Sequence, residues 1–305
     1  MPEDASDNLP TQAFPEPTGA GLVLVSTPIG NLADISSRAI ETLRTASLVL
    51  CEDTRVTSRL FAAHGIATRL APLHEHNEDA RIPALLALLH KGARIALVSD
   101  AGTPLVSDPG YRLVRAAIAQ GVPVSAVPGA NAATMALILS GLPPHPYVFL
   151  GFLPPRQAAR RAMLGTVRAA EQAGLSMTLL LHEAPHRLAE TLADCRDVLG
   201  EREAAVAREL TKRYEEVRRD GLGALATYYA AEAPRGEITL VIAPSVETDD
   251  KSGLDQKLAA ALEAGHSLRD AASLVATSLG LPRKVVYARA LSLRESAPLP
   301  DQAPE

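Results

Sequence analysis

The chain has 305 residues, 47% of them apolar but only 3% aromatic, no tryptophan, and a formal net charge of −5. That length supports two domains with cores of their own plus a small appendage. No uncharged apolar stretch is long enough to cross a bilayer, and the two cysteines, Cys51 and Cys195, make neither a disulfide framework nor a zinc site and fit a reducing cytosol.

Residues 1–19 hold Glu3, Asp4, Asp7 and Glu16 among Pro and Ser and read as a disordered tail rather than a signal peptide. From Gly21 onward, short β-type runs alternate with helical patterns. Leu22–Ser26 is a strand, followed by a helix over about Ser36–Thr45 with Asp34 as its expected N-cap. Leu48–Cys51 and Arg94–Ser99 read as strands, Val56–His64, Ile82–Lys91 and Gly110–Gln120 as helices, then Val122–Val127 as a strand and Ala130–Ser140 as a helix. This spacing predicts a mostly parallel sheet covered on both faces, a first α/β domain over residues 20–143. Gly141–Pro146, with Pro143, Pro144 and Pro146, reads as a hinge. A second α/β domain over residues 147–244 follows, with strands at Val148–Phe152, Met177–Leu181, Ala204–Arg208 and Glu237–Ala243 and a helix over Pro185–Leu199.

Pro244–Gly253 is a polar linker, and residues 254–295 are of another kind. Three helices are predicted at Leu254–Ala264, Ser267–Leu279 and Arg283–Leu293, with Ser267 as a cap, Gly280 as a stop and Pro282 at a helix start. The last helix is basic, carrying Arg283, Lys284, Arg289 and Arg294, so the pattern is that of a helix-turn-helix unit for nucleic acid or of a structural cap. A second basic run, Arg156, Arg160, Arg161 and Arg168, reads by itself as a solvated helix face. Residues 296–305 form a second tail.

In an open α/β sheet, ligands sit beyond the carboxyl ends of the strands. Three strand ends here open into dense Gly-bearing loops: Thr27-Pro28-Ile29-Gly30-Asn31, then Ser99-Asp100-Ala101-Gly102-Thr103-Pro104 continuing to Asp108-Pro109-Gly110, then Pro128-Gly129-Ala130-Asn131-Ala132-Ala133. None is a dinucleotide fingerprint or a phosphate loop with Lys. His74, Glu75, His76 and Asn77 form a polar loop, but without a third ligand it is a weak metal motif, and no metal is expected.

Together with Glu52-Asp53-Thr54-Arg55 and, farther on, Gly151–Pro154, His182–Arg187, Ala207–Lys212 and Arg235–Glu237, these loops resemble the tetrapyrrole methylase superfamily. More closely, they resemble its ribosomal RNA branch, the small-subunit rRNA methyltransferase I family. The resemblance spans about Gly21 to Arg294. It implies two α/β domains with S-adenosylmethionine in the cleft between them, a homodimer, and methyl transfer to the ribose 2′-oxygen of a cytidine at the decoding centre of small-subunit (16S) rRNA. Carried onto this sequence, it implies cofactor contacts from Pro28, Gly30, Asp100, Ala101, Gly102, Leu105, Asn131, Ala132, Glu183 and Ala207. The chain departs from the family pattern at Ala130 and Asn131, where Pro and a small polar residue are usual, and at His182, where Tyr is common.

A ribose hydroxyl is a poor nucleophile while protonated, so a base or a polarising contact is expected beside plain positioning. Glu183 and His186 are candidates for the base and Lys212 for stabilising the developing alkoxide. Glu183 equally reads as a structural partner of Arg187. Arg55, Arg187, Lys212, Arg235, Arg283 and Lys284 are expected to contact the rRNA, in naked or assembled form, because phosphates reward positive side chains. Two alternatives stand beside this reading: a methylase of uroporphyrinogen or precorrin, and a non-catalytic RNA-binding assembly factor.

Overall fold

The computed structural model describes residues 19–245, 251–279 and 282–295. The first lobe is a five-stranded parallel sheet built from β1 (Gly21–Val25), β2 (Leu48–Cys51), β3 (Leu70–Pro72), β4 (Arg94–Leu97) and β5 (Val124–Val127), in the order β3-β2-β4-β1-β5. Successive side chains leave opposite faces of a strand, so an unbroken apolar run can fill two cores. Leu22, Leu50, Ile95 and Leu97 pack under α3 (Glu78–His90) and α4 (Tyr111–Ala119), whereas Val23, Val49, Cys51 and Ala96 pack under α1 (Ser37–Thr45) and α2 (Thr54–His64). β3, a three-residue strand ending in proline at the sheet edge, gives too short a pattern to read from sequence.

The cap of α1 is Ser36 rather than Asp34. Leu32–Asp34 closes as a 3-10 turn capped by Asn31, and the Ser36 hydroxyl accepts the Ala39 N–H at 3.1 Å. The chain leaves β1 for β2 on one side and leaves the neighbouring β4 for β5 on the other. Connections that part in this way open a crevice at the carboxyl ends of β1 and β4.

The second sheet contains β6 (Tyr147–Phe152), β7 (Thr178–Glu183), β8 (Glu203–Arg208), β9 (Glu216–Gly221) and β10 (Ile238–Ile242), in the order β6-β7-β10-β8-β9. Only β6 and β7 pair in parallel; β10 lies antiparallel between β7 and β8, so the second sheet is mixed where the first is parallel as expected. Its outer face is covered by α6 (Gln157–Gln172), α7 (Leu188–Leu199) and α8 (Leu222–Ala231). Its inner face is covered by α5 (Ala132–Ser140), whose Ala133, Ala136 and Leu137 pack on Leu180, Ala205 and Val241. The helix that follows the last strand of the first sheet is therefore core for the second, and the described chain up to Pro244 forms one compact unit.

The basic run of α6 is solvated only in part: Arg156 is exposed and Arg161 and Arg168 are half-exposed, but Arg160 is not. Arg160 is fully buried and donates to Asp194 at 2.7 Å, Arg161 reaches the same carboxylate at 3.0 Å, and Arg168 lies 3.8 Å from Glu171. A buried guanidinium requires such a partner, and Asp194 supplies it from α7.

The second unit holds α9 (Lys251–Glu263), α10 (Leu268–Leu279) and α11 (Arg283–Glu295) around Leu258, Ala271, Ala272, Val275 and Val286. The Ser267 hydroxyl accepts the Asp270 N–H at 3.2 Å, the cap expected for α10. Helix α9 starts at Lys251, within the segment read as linker. The tails expected at residues 1–19 and 296–305, apart from Gly19, the linker core at 246–250 and the stop at Gly280 lie outside the described residues.

Candidate active site

The three Gly-bearing loops are tied to one another at the carboxyl ends of β1, β4 and β5. Thr27 and Gly102 exchange backbone hydrogen bonds of 2.8 and 3.1 Å, and the Thr27 hydroxyl donates to the Ser99 carbonyl at 3.1 Å. Thr103 donates to the Ala130 carbonyl at 3.1 Å, and Asn131 caps α5 by accepting the Thr134 N–H at 3.1 Å. Asp100 accepts the Asp53 N–H at 3.0 Å and so joins the Glu52–Arg55 turn to the same cluster. Gly102 has φ +83°, and a Cβ there would lie 3.2 Å from the Ile29 side chain. The loop is built for close backbone approach.

Facing these loops, the ends of β6, β7 and β8 and the start of β10 complete a cleft of about 350 Å³. Of the residues anticipated as cofactor contacts, Ala101, Gly102, Asn131, Ala132, Glu183 and Ala207 form its walls. Pro28, Gly30, Asp100 and Leu105 do not. Pro28 is buried behind the loop, Asp100 is a strut to Asp53, and the Leu105 side chain packs towards Gly110. Gly30 lies under the second lobe: a Cβ on it would be 2.3 Å from Lys212 Cγ.

The non-glycine residues with positive φ among those described are Leu105, Ser107, Glu209 and Thr211, at +70°, +68°, +51° and +65°. All four sit on the two loops that face each other across the cleft, those after β4 and β8. Left-handed backbone at a residue with a side chain costs roughly 1–2 kcal/mol, and such strain concentrates where the fold must hold a ligand.

The catalytic candidates separate clearly. Glu183 is 2% exposed and fully occupied: it accepts from Thr191 at 2.6 Å and from the Ala184 N–H at 2.7 Å, and it pairs with Arg187 at 3.3 Å. Arg187 in turn donates to the Leu153 carbonyl at 2.8 Å. Both members of that pair are thus engaged in holding β7 to the Pro154 turn. His186 is exposed on the 3-10 turn Pro185–Arg187 and is not a wall of the cleft. Lys212 lies 2.8 Å from Glu209 and 3.2 Å from Glu237. Burial alone would lower the pKa of its ammonium, but the hydrogen bond to Glu209 and the charge of Glu237 outweigh this and raise it. It is a latch between neighbouring loops.

Arg55 is exposed and bound to Asp53 at 2.6 Å; that hydrogen bond holds the Asp53 carboxyl down at about 2. Arg235 is exposed beside Gly236, a wall residue, and Arg283 and Lys284 are exposed at the start of α11 in the second unit. Wall residues that were not proposed as site residues from the sequence include Ser107, Phe152, Thr239 and, of most chemical interest, Asp108. Burial, and then the charge of Glu52, pushes the Asp108 carboxyl up to about 6. His182 is a wall residue too, held to Thr239 at 3.2 Å and edge-on to Phe149, and burial lowers its pKa. The Asp-Pro-Gly turn and the His182 motif were visible in the sequence, but their orientation into the cleft was not. Among the described residues no group of three or more His, Cys, Asp or Glu is arranged to hold a metal.

Residues 21–226 match the family model described as Tetrapyrrole (Corrin/Porphyrin) Methylases, and residues 248–294 match the one described as RsmI C-terminal HTH domain. A protein of Mesorhizobium japonicum called ribosomal RNA small subunit methyltransferase I is 44% identical over 94% of this chain and 97% of its own. Its namesake in Micromonospora olivasterospora is 47% identical over 92% and 90%. The chain belongs to the ribosomal RNA small subunit methyltransferase I family. Solved structures with the same fold include the methyltransferase CobJ, with a TM-score of 0.56, 16% identity and coverage of 74% of this chain and 95% of that one. The cobalt precorrin-4 methyltransferase CbiF follows at 0.53, 13% identity, 73% and 94%. The relatives named rRNA methyltransferase I cover more than nine tenths of the chain, and the helical unit matches a family model of its own, whereas these two structures cover about three quarters of the chain. The chain is a methyltransferase, and no helix among its described residues is long and apolar enough to span a membrane.

Proposed function

We propose that this enzyme transfers a methyl group from S-adenosylmethionine to the ribose 2′-oxygen of a cytidine at the decoding centre of small-subunit (16S) rRNA, acting in the cytoplasm as a homodimer. The observation that carries the reading is the chain-wide likeness to rRNA methyltransferase I proteins, which continues through the C-terminal helical unit. The alternative of a tetrapyrrole acceptor leaves that unit without a purpose.

The cleft fits the cofactor. Its walls are mostly apolar, with Ile29, Val106, Phe152 and Leu210 suited to an adenosyl group, and Gly102 leaves space that a Cβ would narrow. The backbone of residues 101–103 and the free N–H groups where α5 begins at Ala132 would hold its polar end, because a helix N-terminus favours a carboxylate. When bound, S-adenosylmethionine supplies a methyl carbon that is already electrophilic, so no metal is required. The chain's own contribution is to seat the acceptor ribose and exclude water, and positioning of that kind is worth about 7–11 kcal/mol. Glu183 acts by fixing the strand end, and Lys212 by fixing the lip of the cleft against Gly30. Arg55, Arg235, Arg283 and Lys284 supply phosphate contacts.

Incubation with methyl-labelled S-adenosylmethionine and, separately, assembled small subunits, naked rRNA and uroporphyrinogen tests this reading. Label recovered as 2′-O-methylcytidine after nuclease digestion is the expected result. Label in the porphyrinogen alone would replace it with the tetrapyrrole reading, and cofactor binding with no transfer to any acceptor would leave an assembly factor.

A further inference from the structure

Four titratable side chains line the cleft: Asp108, His182, Glu183 and Glu237. Glu183 is spent on Thr191, Ala184 and Arg187, and Glu237 is largely exposed and paired with Lys212. His182 is fixed by Thr239 and two phenylalanine rings. Asp108 alone is a cleft carboxylate without an ion-pair partner among the described residues, and no Lys or Arg side chain is part of the cleft wall.

An Asp-Pro-Gly turn before a helix ordinarily supplies that helix with its cap. Here it does not. Helix α4 starts after Gly110 with no side-chain cap of its own, and Glu78, a buried carboxylate on α3, accepts the N–H of Leu113 at 2.8 Å and that of Gly110 at 3.4 Å. Asp108 is thereby released from the structural task its position suggests. The strained Leu105 and Ser107 precede it, and a Cβ on Gly151 of the second lobe would lie 3.5 Å from Ser107 Oγ. The loop therefore reaches across the cleft and sets Asp108 in its wall.

We infer that Asp108 is the catalytic residue that takes the proton from the acceptor hydroxyl. This rests on the methyl-transfer reading above. The O–H proton passes to the Asp108 carboxylate as the oxygen bonds to the methyl carbon. The C–S bond breaks with its electron pair left on sulfur, and the proton then leaves Asp108 for solvent. The groups facing Asp108 are Glu52 from the end of β2, Asp100 and the Ser99 hydroxyl from the loop after β4, and His182, Glu183 and Glu237 on the other wall. Burial, and then the charges of Glu52 and Asp100, outweigh the hydrogen bond from Ser99 and bring its carboxyl up to about 6, close to the neutral range where a general base works best.

The test uses the full-length enzyme with Asp108→Asn, Asp108→Glu and His182→Gln. Calorimetry gives S-adenosylmethionine affinity, and single-turnover methylation of small subunits gives the rate as a function of pH. Asp108→Asn is expected to lower the rate about 10²–10⁴-fold while cofactor and subunit affinities stay within about threefold. The wild-type rate should rise with pH through about 6, and that limb should vanish in Asp108→Asn and return, shifted, in Asp108→Glu. A carboxyl carbon resonance titrating near 6 in the cofactor-free protein, absent from Asp108→Asn, is the readout independent of activity. An Asp108→Asn enzyme that keeps the rate and the limb overturns the inference, as does loss of cofactor binding in that variant. Loss of the limb in His182→Gln with Asp108→Asn unaffected assigns the base to His182 instead. If the wild type methylates no small-subunit acceptor at all, it is the underlying reading that has failed.

Discussion

Gly30 and Lys212 touch at the lip of the cleft. A Cβ on Gly30 would meet Lys212 Cγ at 2.3 Å and the Leu210 carbonyl at 3.1 Å, while the Lys212 ammonium is held by Glu209 and Glu237. The loop after β1 and the loop after β8 therefore fit only because one residue lacks a side chain. Gly30→Ala is expected to destabilise the protein by about 1–3 kcal/mol, the usual cost of overpacking, and to weaken S-adenosylmethionine binding. Because the clash is with Lys212, adding Lys212→Ala should recover part of the loss. Strict additivity in denaturant melts of the single and double variants would show that the contact is not the cause.

Glu183 separates a structural acid from a catalytic one. Removing it strands the Thr191 hydroxyl and Arg187, so Glu183→Ala should cost about 3–5 kcal/mol of stability. Glu183→Gln keeps the shape and should cost less, about 1–3 kcal/mol, with methylation at saturating substrates within a few-fold of wild type. A folded Glu183→Gln enzyme whose rate falls a hundredfold or more would return Glu183 to the chemistry.

Asp108 makes stability depend on pH with a defined sign. Its carboxyl is raised to about 6 in the folded state, against about 3.9 unfolded. Below about pH 4 both states are protonated and nothing is lost. As pH rises from about 4 to 6 the unfolded chain releases its proton first, so folding stability declines, and above about 6 the penalty is constant. Asp108 is partly exposed, which discounts the penalty for solvent screening to about 1–2 kcal/mol. Asp108→Asn should therefore melt higher than wild type at pH 7.5, with the difference shrinking towards pH 4.5. A difference that does not change with pH would deny that Asp108 is desolvated.

The second unit is expected to act on the acceptor and not on the cofactor. Arg283 and Lys284 are exposed at the start of α11, beside the exposed Val285 and Tyr287. Replacing both cations with Ala should weaken rRNA binding and reduce its salt dependence by about one unit of slope per cation, with S-adenosylmethionine affinity unchanged. Deleting residues 251–305 should do the same more strongly. Joint loss of the dimer and of cofactor binding in the truncated protein would make the unit structural.

Some of this was legible in the sequence because the forces that decide it act within a few residues. Short apolar runs marked β1, β2 and β4, Asn131 and Ser267 stand at the helix starts their chemistry favours, and the strand-end loops announced the crevice. The reading stumbled where two local solutions competed. Asp34 and Ser36 are both good caps, and the 3-10 turn at Leu32–Asp34 decided for Ser36. Elements with mixed patterns, β9 and α8, were not predicted, and α6 was seen only as a charged helix face, because their burial depends on a mixed sheet whose antiparallel pairing no local spacing announces.

Local pattern and motif order by themselves determined the family, the first lobe and the place of the cleft. Tertiary structure decided what each charge does. Arg160 is a buried strut because Asp194 comes to it from another helix, Glu183 is saturated because Thr191 reaches it, and Asp108 keeps no ion pair while Glu78 binds the helix start in its place. A charged side chain takes its role from the partner that neutralises it, and that partner is often more than thirty residues away, beyond the range of any periodicity.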